Sequence, residues 1–528
     1  MRGRTAASRR PIIAFALKIP RPFATLSRAL LAGATFFAFA PHSAVAKPPP
    51  IPPLTADAVT HHAISIGGRT LAYTARAGTI TLRNGQDQPT ARVFYTAYTL
   101  DGANPSRRAV TFLYNGGPGS STMWLRMGSF GPVRVATADG TLTGSPPYRV
   151  IDNQYTLLDT TDLVFIDMPG SGFGRIIGAG TRKDFWGIDQ DATAFAQFIQ
   201  RYITNFNRWN SPRFLFGESY GTMRSSVLAK DLQDEGIGLN GVVLLSSFLN
   251  SSIDYNDGAP IGGGDWAYPL YLPTETATAW YHHALPGAPP LRTLLPEVES
   301  FALGEYVDAL AQGAQLAPDR YNDVVAKLHR YTGLSEQYIR NSNLRIQYDR
   351  FQSELMRQSG TIVGRIDSRF KTYSLDRPQV APDWDPTDAA IDSAFVSSSN
   401  YYLRQVLDYR PAGLYRGEIY DLIFADGESW DFKHGENSQV VNVTPDLAQA
   451  MTYNPSLKVF SANGYFDFAT PFFATVYALR HLYLSPSIQR NITYGFYESG
   501  HMVYLHPAAL ARFHADLERW YAGALNHA

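Results

Sequence analysis

The sequence predicts an α/β protein: a mostly parallel central sheet with helices on both faces, interrupted by a helical insertion. Apolar runs at 110–114, 162–167, 213–216, 241–245, 457–461 and 492–497 alternate with stretches of helical spacing. In one of these, Phe195, Phe198, Ile199 and Tyr202 fall at i, i+3, i+4 and i+7. Such alternation argues for parallel strands covered on both faces. From 251 to 416 the strand texture gives way to helical spacing (Leu303, Val307, Leu310) broken by Gly/Pro clusters, and strands then resume.

The ends of the chain set its organisation. Arg2, Arg4, Arg9, Arg10, Lys18, Arg21 and Arg28 precede an apolar stretch from Ala29 to Ala40, then Ser43-Ala44-Val45-Ala46. That is the order of a secretory signal peptide, cut after Ala46, and the apolar stretch is too short to span a bilayer. The expected division is a signal peptide at 1–46, a proline-rich leader at 47–59, a first part of the core at 60–250, the insertion at 251–416, and the second part of the core at 417–528. The mature protein is therefore expected to be periplasmic or secreted, with no membrane span. Its 45% hydrophobic and 17% charged residues suit an ordered globular chain, and zero net charge gives no electrostatic sign of nucleic acid. The absence of cysteine excludes disulfides, thiolate catalysis and cysteine metal sites.

In chain order, "HHAISIG", "RTLAYTARAG", "TITLRNG" and "ARVFYTAYTL" read as antiparallel strands at a sheet edge. The strand at 110–114 then ends in Asn115-Gly116-Gly117-Pro118-Gly119-Ser120-Ser121. Glycines let backbone N–H groups approach a ligand closely, and without a Gly-Lys-Ser/Thr run the loop is not a phosphate cradle. The strand at 213–216 runs into Gly217-Glu218-Ser219-Tyr220-Gly221 and a helical stretch, the context of a nucleophile elbow. A neutral serine needs a base and an orienting acid. His501 follows the last strand in "ESGHM", and Asp467 follows the preceding one in "NGYFDFATP", giving the α/β-hydrolase order Ser, Asp, His. Asp426 in "FADGES" is the rival acid, and His434 and His506 stand in less distinctive contexts. The glycine loop then reads as an oxyanion hole, with the backbone N–H groups of Gly117 and Tyr220 as donors.

Together "NGGPGSS", "DLVFIDMPGSGFG", "GESYG", "NGYFDFATP" and "SGHMV" resemble the serine carboxypeptidase family over about 60–250 and 420–515. The resemblance implies an α/β-hydrolase fold with the insertion as its lid, peptide substrates, and hydrolysis at the C-terminus through an acyl-enzyme. It also implies no metal or cofactor, and a substrate carboxylate held by Asn115 and Glu218. Two positions depart from the family pattern: Ser120 stands where a cysteine is usual, and Ser129 where a second glutamate usually pairs with the elbow glutamate. Ser129 leaves Glu218 without a carboxyl partner. The rival readings are an aminopeptidase or an acyltransferase on the same fold, and an inactive binding protein on a hydrolase scaffold.

Overall fold

The computed structural model describes residues 51, 53–253, 264–424, 430–435 and 440–526. The expected signal peptide, the start of the leader and Asp426 lie outside the described residues. Ten strands form one sheet: β1 (Ala58–Ile66), β2 (Arg69–Arg83), β3 (Pro89–Leu100), β4 (Val110–Tyr114), β5 (Asp162–Ile166), β6 (Arg175–Ile176), β7 (Arg213–Ser219), β8 (Gly241–Ser247), β9 (Lys458–Gly464) and β10 (Ile492–Tyr497). Their order is β1-β2-β3-β5-β4-β7-β8-β9-β10, with β6 on β3. The six strands from β5 to β10 along that path are parallel, and β1 to β3 form an antiparallel edge.

Side-chain alternation between two cores explains why the parallel strands are largely apolar. Phe112, Tyr114, Val164, Leu215, Val242 and Val459 face one core, while Leu113, Phe165, Phe214, Phe216, Val243 and Phe460 face the other. Helices α2 (Ile188–Asn205), α3 (Tyr220–Asp234), α4 (Ala267–Tyr281), α6 (Thr444–Tyr453) and α7 (Phe472–Arg480) contribute to the first core. Helices α1 (Met123–Gly128), α5 (Pro386–Tyr401) and α8 (Pro507–Leu525) contribute to the second. Among the described residues no helix is long and apolar enough to cross a membrane.

Two expectations need correction. "RTLAYTARAG" and "TITLRNG" are one strand of 15 residues, β2, and not two. Gly78 between them marks a close approach and no turn: a Cβ there would stand 2.0 Å from Asp57 Oδ1. Asp57 is itself held by Arg76 and the Tyr95 hydroxyl, each at 3.2 Å, so the chain is already docked before β1 begins at Ala58. The insertion is largely helical, but it also carries a hairpin, Thr361–Val363 with Lys371–Tyr373. Three-residue strands are too short to leave a period-2 signal.

The insertion is not a body apart. Its Leu270, Leu294, Val325 and Leu344 belong to the same apolar cluster as the sheet residues Val164 and Val242. The loops that leave the C-terminal ends of β4, β7, β9 and β10 hold the residues singled out above, as open parallel sheets place their sites.

Candidate active site

β7 passes into α3 without an intervening loop, and Ser219 at the junction has φ 62° and ψ −131°. A non-glycine residue in such a conformation costs roughly 1–3 kcal/mol, which the surrounding packing must hold. The flanking glycines make the turn possible. A Cβ on Gly217 would stand 2.1 Å from the Gly221 carbonyl oxygen, and one on Gly221 would stand 2.9 Å from the Tyr114 carbonyl oxygen. The Ser219 hydroxyl makes no hydrogen bond among the described residues; catalytic bonds commonly tighten only when substrate is bound.

The glycine loop after β4 rests on the first turn of α3. A Cβ on Gly116 would stand 2.5 Å from the Tyr220 nitrogen, so loop and helix N-terminus share one small space. Gly117, the next residue, and Tyr220 therefore carry the sequence-predicted donors into the same neighbourhood. What fixes that neighbourhood was invisible in the sequence. Arg224 of α3 is fully buried, donates from Nη1 to the Asn115 carbonyl at 2.8 Å, and pairs through Nε with Asp191 at 2.7 Å. Its guanidinium lies 4.1 Å from the Phe195 ring centroid and 5.3 Å from that of Tyr220. On the other side Trp430 packs edge-on against Tyr220 at 5.3 Å.

Asp467 and His501 come together as the sequence anticipates. His501 Nδ1 and Asp467 Oδ2 are 2.9 Å apart and both side chains are buried. Asp467 Oδ1 accepts from the backbone N–H groups of Ala469 (2.8 Å) and Thr470 (2.9 Å), and Oδ2 also accepts from the Thr470 hydroxyl at 2.6 Å. A carboxylate with all these donors is fixed in position. Burial works against the His501 imidazolium, but Asp467 and then Glu218 outweigh it and raise its pKa above the ordinary value. Ser246, another residue at positive φ (52°), donates its hydroxyl to the His501 carbonyl at 2.7 Å. Its neighbour Ser247 is the cross-strand partner of Ser219, which ties the histidine loop to the elbow.

The insertion clasps both loops. Phe468 N–H donates to Arg365 O at 3.0 Å, Ser368 N–H to Phe466 O at 2.9 Å, and His501 N–H to Ile366 O at 2.7 Å. Asp367 leaves no space for a side chain at Gly500, where a Cβ would stand 2.4 Å from its Cβ.

A family model, Serine carboxypeptidase, matches residues 70–282, which hold the glycine loop and the elbow. Over those residues the chain is similar to the serine carboxypeptidase family. The pheromone-processing carboxypeptidase KEX1 of Cryptococcus gattii is 30% identical over 119 residues, 22% of this chain and 17% of that one. Carboxypeptidase Y of Saccharomyces cerevisiae is 24% identical over 195 residues, 34% of this chain and 33% of its own length. This chain thus aligns with a third or less of these relatives. A solved prohormone-processing carboxypeptidase from Saccharomyces cerevisiae shares the fold, with a TM-score of 0.51 at 16% identity over 84% of this chain and 91% of that one.

The departure noted from this family's pattern has a structural answer. The Ser129 hydroxyl turns back onto α1 and donates to Leu125 O at 2.6 Å. Glu218 does have a partner, but it is a phenol: Tyr504 Oη lies 3.1 Å and 3.0 Å from its two carboxyl oxygens. Burial pushes the Glu218 carboxyl up to about 7, against the pull of His501, Tyr504 and Asn115. The Asn115 side-chain oxygen accepts from Leu125 N–H at 3.0 Å, so its amide nitrogen is the end left to serve Glu218 and Tyr504. Ser120, where a cysteine is usual, instead pairs its hydroxyl with that of Tyr420 at 2.7 Å.

The other histidines are accounted for differently. His434 sits between Asp189 (2.6 Å) and Asp446 (2.8 Å), whose hydrogen bonds push it up to about 10 and lock it as a cation unsuited to a base. His506 caps the start of α8 and meets Asp139 at 2.7 Å. One group of metal-ligand type occurs among the described residues, Asp159 with His514 and Glu518. It lies at the opposite end of the strands from Ser219 and has no part in the site.

Proposed function

We propose that this chain is an exported serine carboxypeptidase that removes C-terminal residues from peptides through an acyl-enzyme on Ser219. The observation that carries the reading is the buried Asp467–His501 pair at the same C-terminal end of the parallel strands as the strained Ser219 elbow, with a protonatable Glu218 directly before the nucleophile.

In this reading His501 Nε2 takes the Ser219 proton as Oγ attacks the scissile carbonyl, and Asp467 holds the Nδ1–H tautomer and stabilises the imidazolium. The N–H groups of Gly117 and Tyr220 receive the developing oxyanion, a contribution worth about 3 kcal/mol per donor in comparable sites. His501 then protonates the leaving amino group, and water releases the acyl chain by the reverse sequence. Asn115 and neutral Glu218 hold the free carboxylate of the substrate, which fixes the C-terminal residue on the leaving side. The insertion, clasped to the acid and base loops, covers the site as its lid. Cleavage after Ala46 delivers the enzyme outside the cytoplasm, which N-terminal sequencing of the exported protein tests.

The deciding experiment is mass spectrometry of products from a panel of N-blocked peptides. Release of single C-terminal residues, together with loss of fluorophosphonate labelling in Ser219→Ala, is the expected result. Release of N-terminal residues from unblocked peptides with none from blocked ones overturns it.

A further inference from the structure

Tyr504 belongs to a short 3-10 turn, Val503–Leu505, just beyond His501. Its ring is fixed by close packing: a Cβ on Gly128 would stand 2.6 Å from it, and Phe395 closes the same space. The buried phenol is a still weaker acid than usual, so it keeps its proton throughout the working range. Facing Glu218 are Tyr504, His501, Asp467 and the neutral Asn115 amide.

We propose that Tyr504 is the specificity-determining positioning residue of the carboxylate site, and that its hydroxyl, standing where a second carboxyl would pair with Glu218, makes recognition of a free C-terminus depend on a single proton. This rests on the carboxypeptidase reading above.

The chemistry follows from donor counting. When Glu218 is neutral, Tyr504 donates to its carbonyl oxygen and the Glu218 O–H remains to donate to the substrate carboxylate. When Glu218 is ionised, Tyr504 donates to the anion, the Glu218 donor is gone, and two negative charges meet. A pair of carboxyls would lose two protons in succession with an intermediate shared-proton state. A Glu–Tyr pair loses one, and burial places that loss at about 7. Because the Tyr504 hydrogen bond favours the Glu218 anion, its removal moves the loss to higher pH.

The test uses the full-length protein, one N-blocked dipeptide and its C-terminal amide, and the ratio of their kcat/KM values between about pH 5 and 9. In the wild type the ratio falls about tenfold per pH unit above a single break. In Tyr504→Phe the break moves upward, and at about pH 8.5 the ratio stands at least about threefold above wild type. A break that does not move, whatever the loss of rate, makes Tyr504 merely structural and overturns the proposal. Glu218→Gln removes the titrating group, so its ratio is flat with pH, alone and combined with Tyr504→Phe; a pH slope that persists in the double variant also overturns it. Should Tyr504→Phe fail to fold, the wild-type profile decides, since a second break absent from Glu218→Gln overturns the single-proton account. If the wild type hydrolyses neither peptide, the carboxypeptidase reading itself falls, a result distinct from each of these.

Discussion

Asp467→Asn is the sharpest test of how His501 is prepared. The two backbone donors on Oδ1, from Ala469 and Thr470, determine which way the new amide must point. Its oxygen has to face those N–H groups, so its NH2 faces Thr470 Oγ1 and His501 Nδ1, where carboxylate Oδ2 stood. An NH2 donates to Nδ1, which forces the imidazole proton onto Nε2, and Nε2 then has no lone pair for the Ser219 proton. The same change in another serine hydrolase with this arrangement costs about 10⁴ in kcat, equivalent to roughly 5.4 kcal/mol of transition-state stabilisation. A comparable loss is expected here. Most of the hydrogen bonds survive, so stability falls by only about 1–2 kcal/mol. The imidazolium also loses the carboxylate that raises its pKa, so any residual activity extends to lower pH than in wild type. The assay is kcat/KM on an N-blocked dipeptide over a pH series, with a thermal melt to show that the variant is folded. A folded variant that loses less than about tenfold would refute the tautomer argument.

The remaining predictions use the same assay. Arg224→Lys keeps a charge opposite Asp191 but loses the flat guanidinium between Phe195 and Tyr220, and kcat is expected to drop roughly ten- to a hundredfold with KM little changed. Gly500→Ala forces a methyl into Asp367, and it should lower stability by about 1–3 kcal/mol while displacing His501, seen as a loss of kcat larger than the melt accounts for. Ser129→Glu buries an unpaired carboxyl at the C-terminal end of α1 and should destabilise the fold by about 3 kcal/mol or more without sharpening the preference for a free C-terminus. Asp426→Asn should leave kcat/KM within about threefold of wild type, since Asp467 already holds His501.

What the sequence revealed and what it hid divide along a physical line. The parallel strands were legible because most are buried on both faces and are therefore largely apolar, as Val110–Tyr114 is apart from Thr111. The elbow and the glycine loop were legible because their close backbone approaches exclude side chains, so glycine at 116, 217 and 221 is a direct record of geometry. Arg224 and Asp191 left no such record, because polar residues in helical stretches ordinarily face water and only the fold shows these two buried. Tyr504 was hidden for a related reason: one more tyrosine after a strand carries no mark of the carboxyl it will meet from another strand end. Ser129 pointed to the absence of a carboxyl partner for Glu218, but a serine at that position carries no sign of the phenol that partners Glu218 instead. The clasp from 365 to 368 uses backbone donors and acceptors alone, and these have no sequence signal at all.

Glu218 and His501 must also be considered together, since each is among the causes of the other's shift. In the proposed mechanism, productive attack needs His501 neutral, to accept the Ser219 proton, and Glu218 neutral, to donate to the substrate carboxylate. That state holds one proton, on Glu218. The competing state with the same proton count places it on His501 and leaves a buried ion pair. The two hold the same number of protons, so pH alone cannot select between them. A substrate carboxylate can. Its negative charge beside Glu218 penalises the ionised form and draws the proton back from His501, which frees the imidazole at the moment the serine needs a base. An amide substrate brings no such charge and meets a larger share of the inactive pair. Discrimination in favour of a free C-terminus thereby acts on the rate of attack as well as on binding, and it does so because the binding carboxyl and the base lie close enough to compete for one proton.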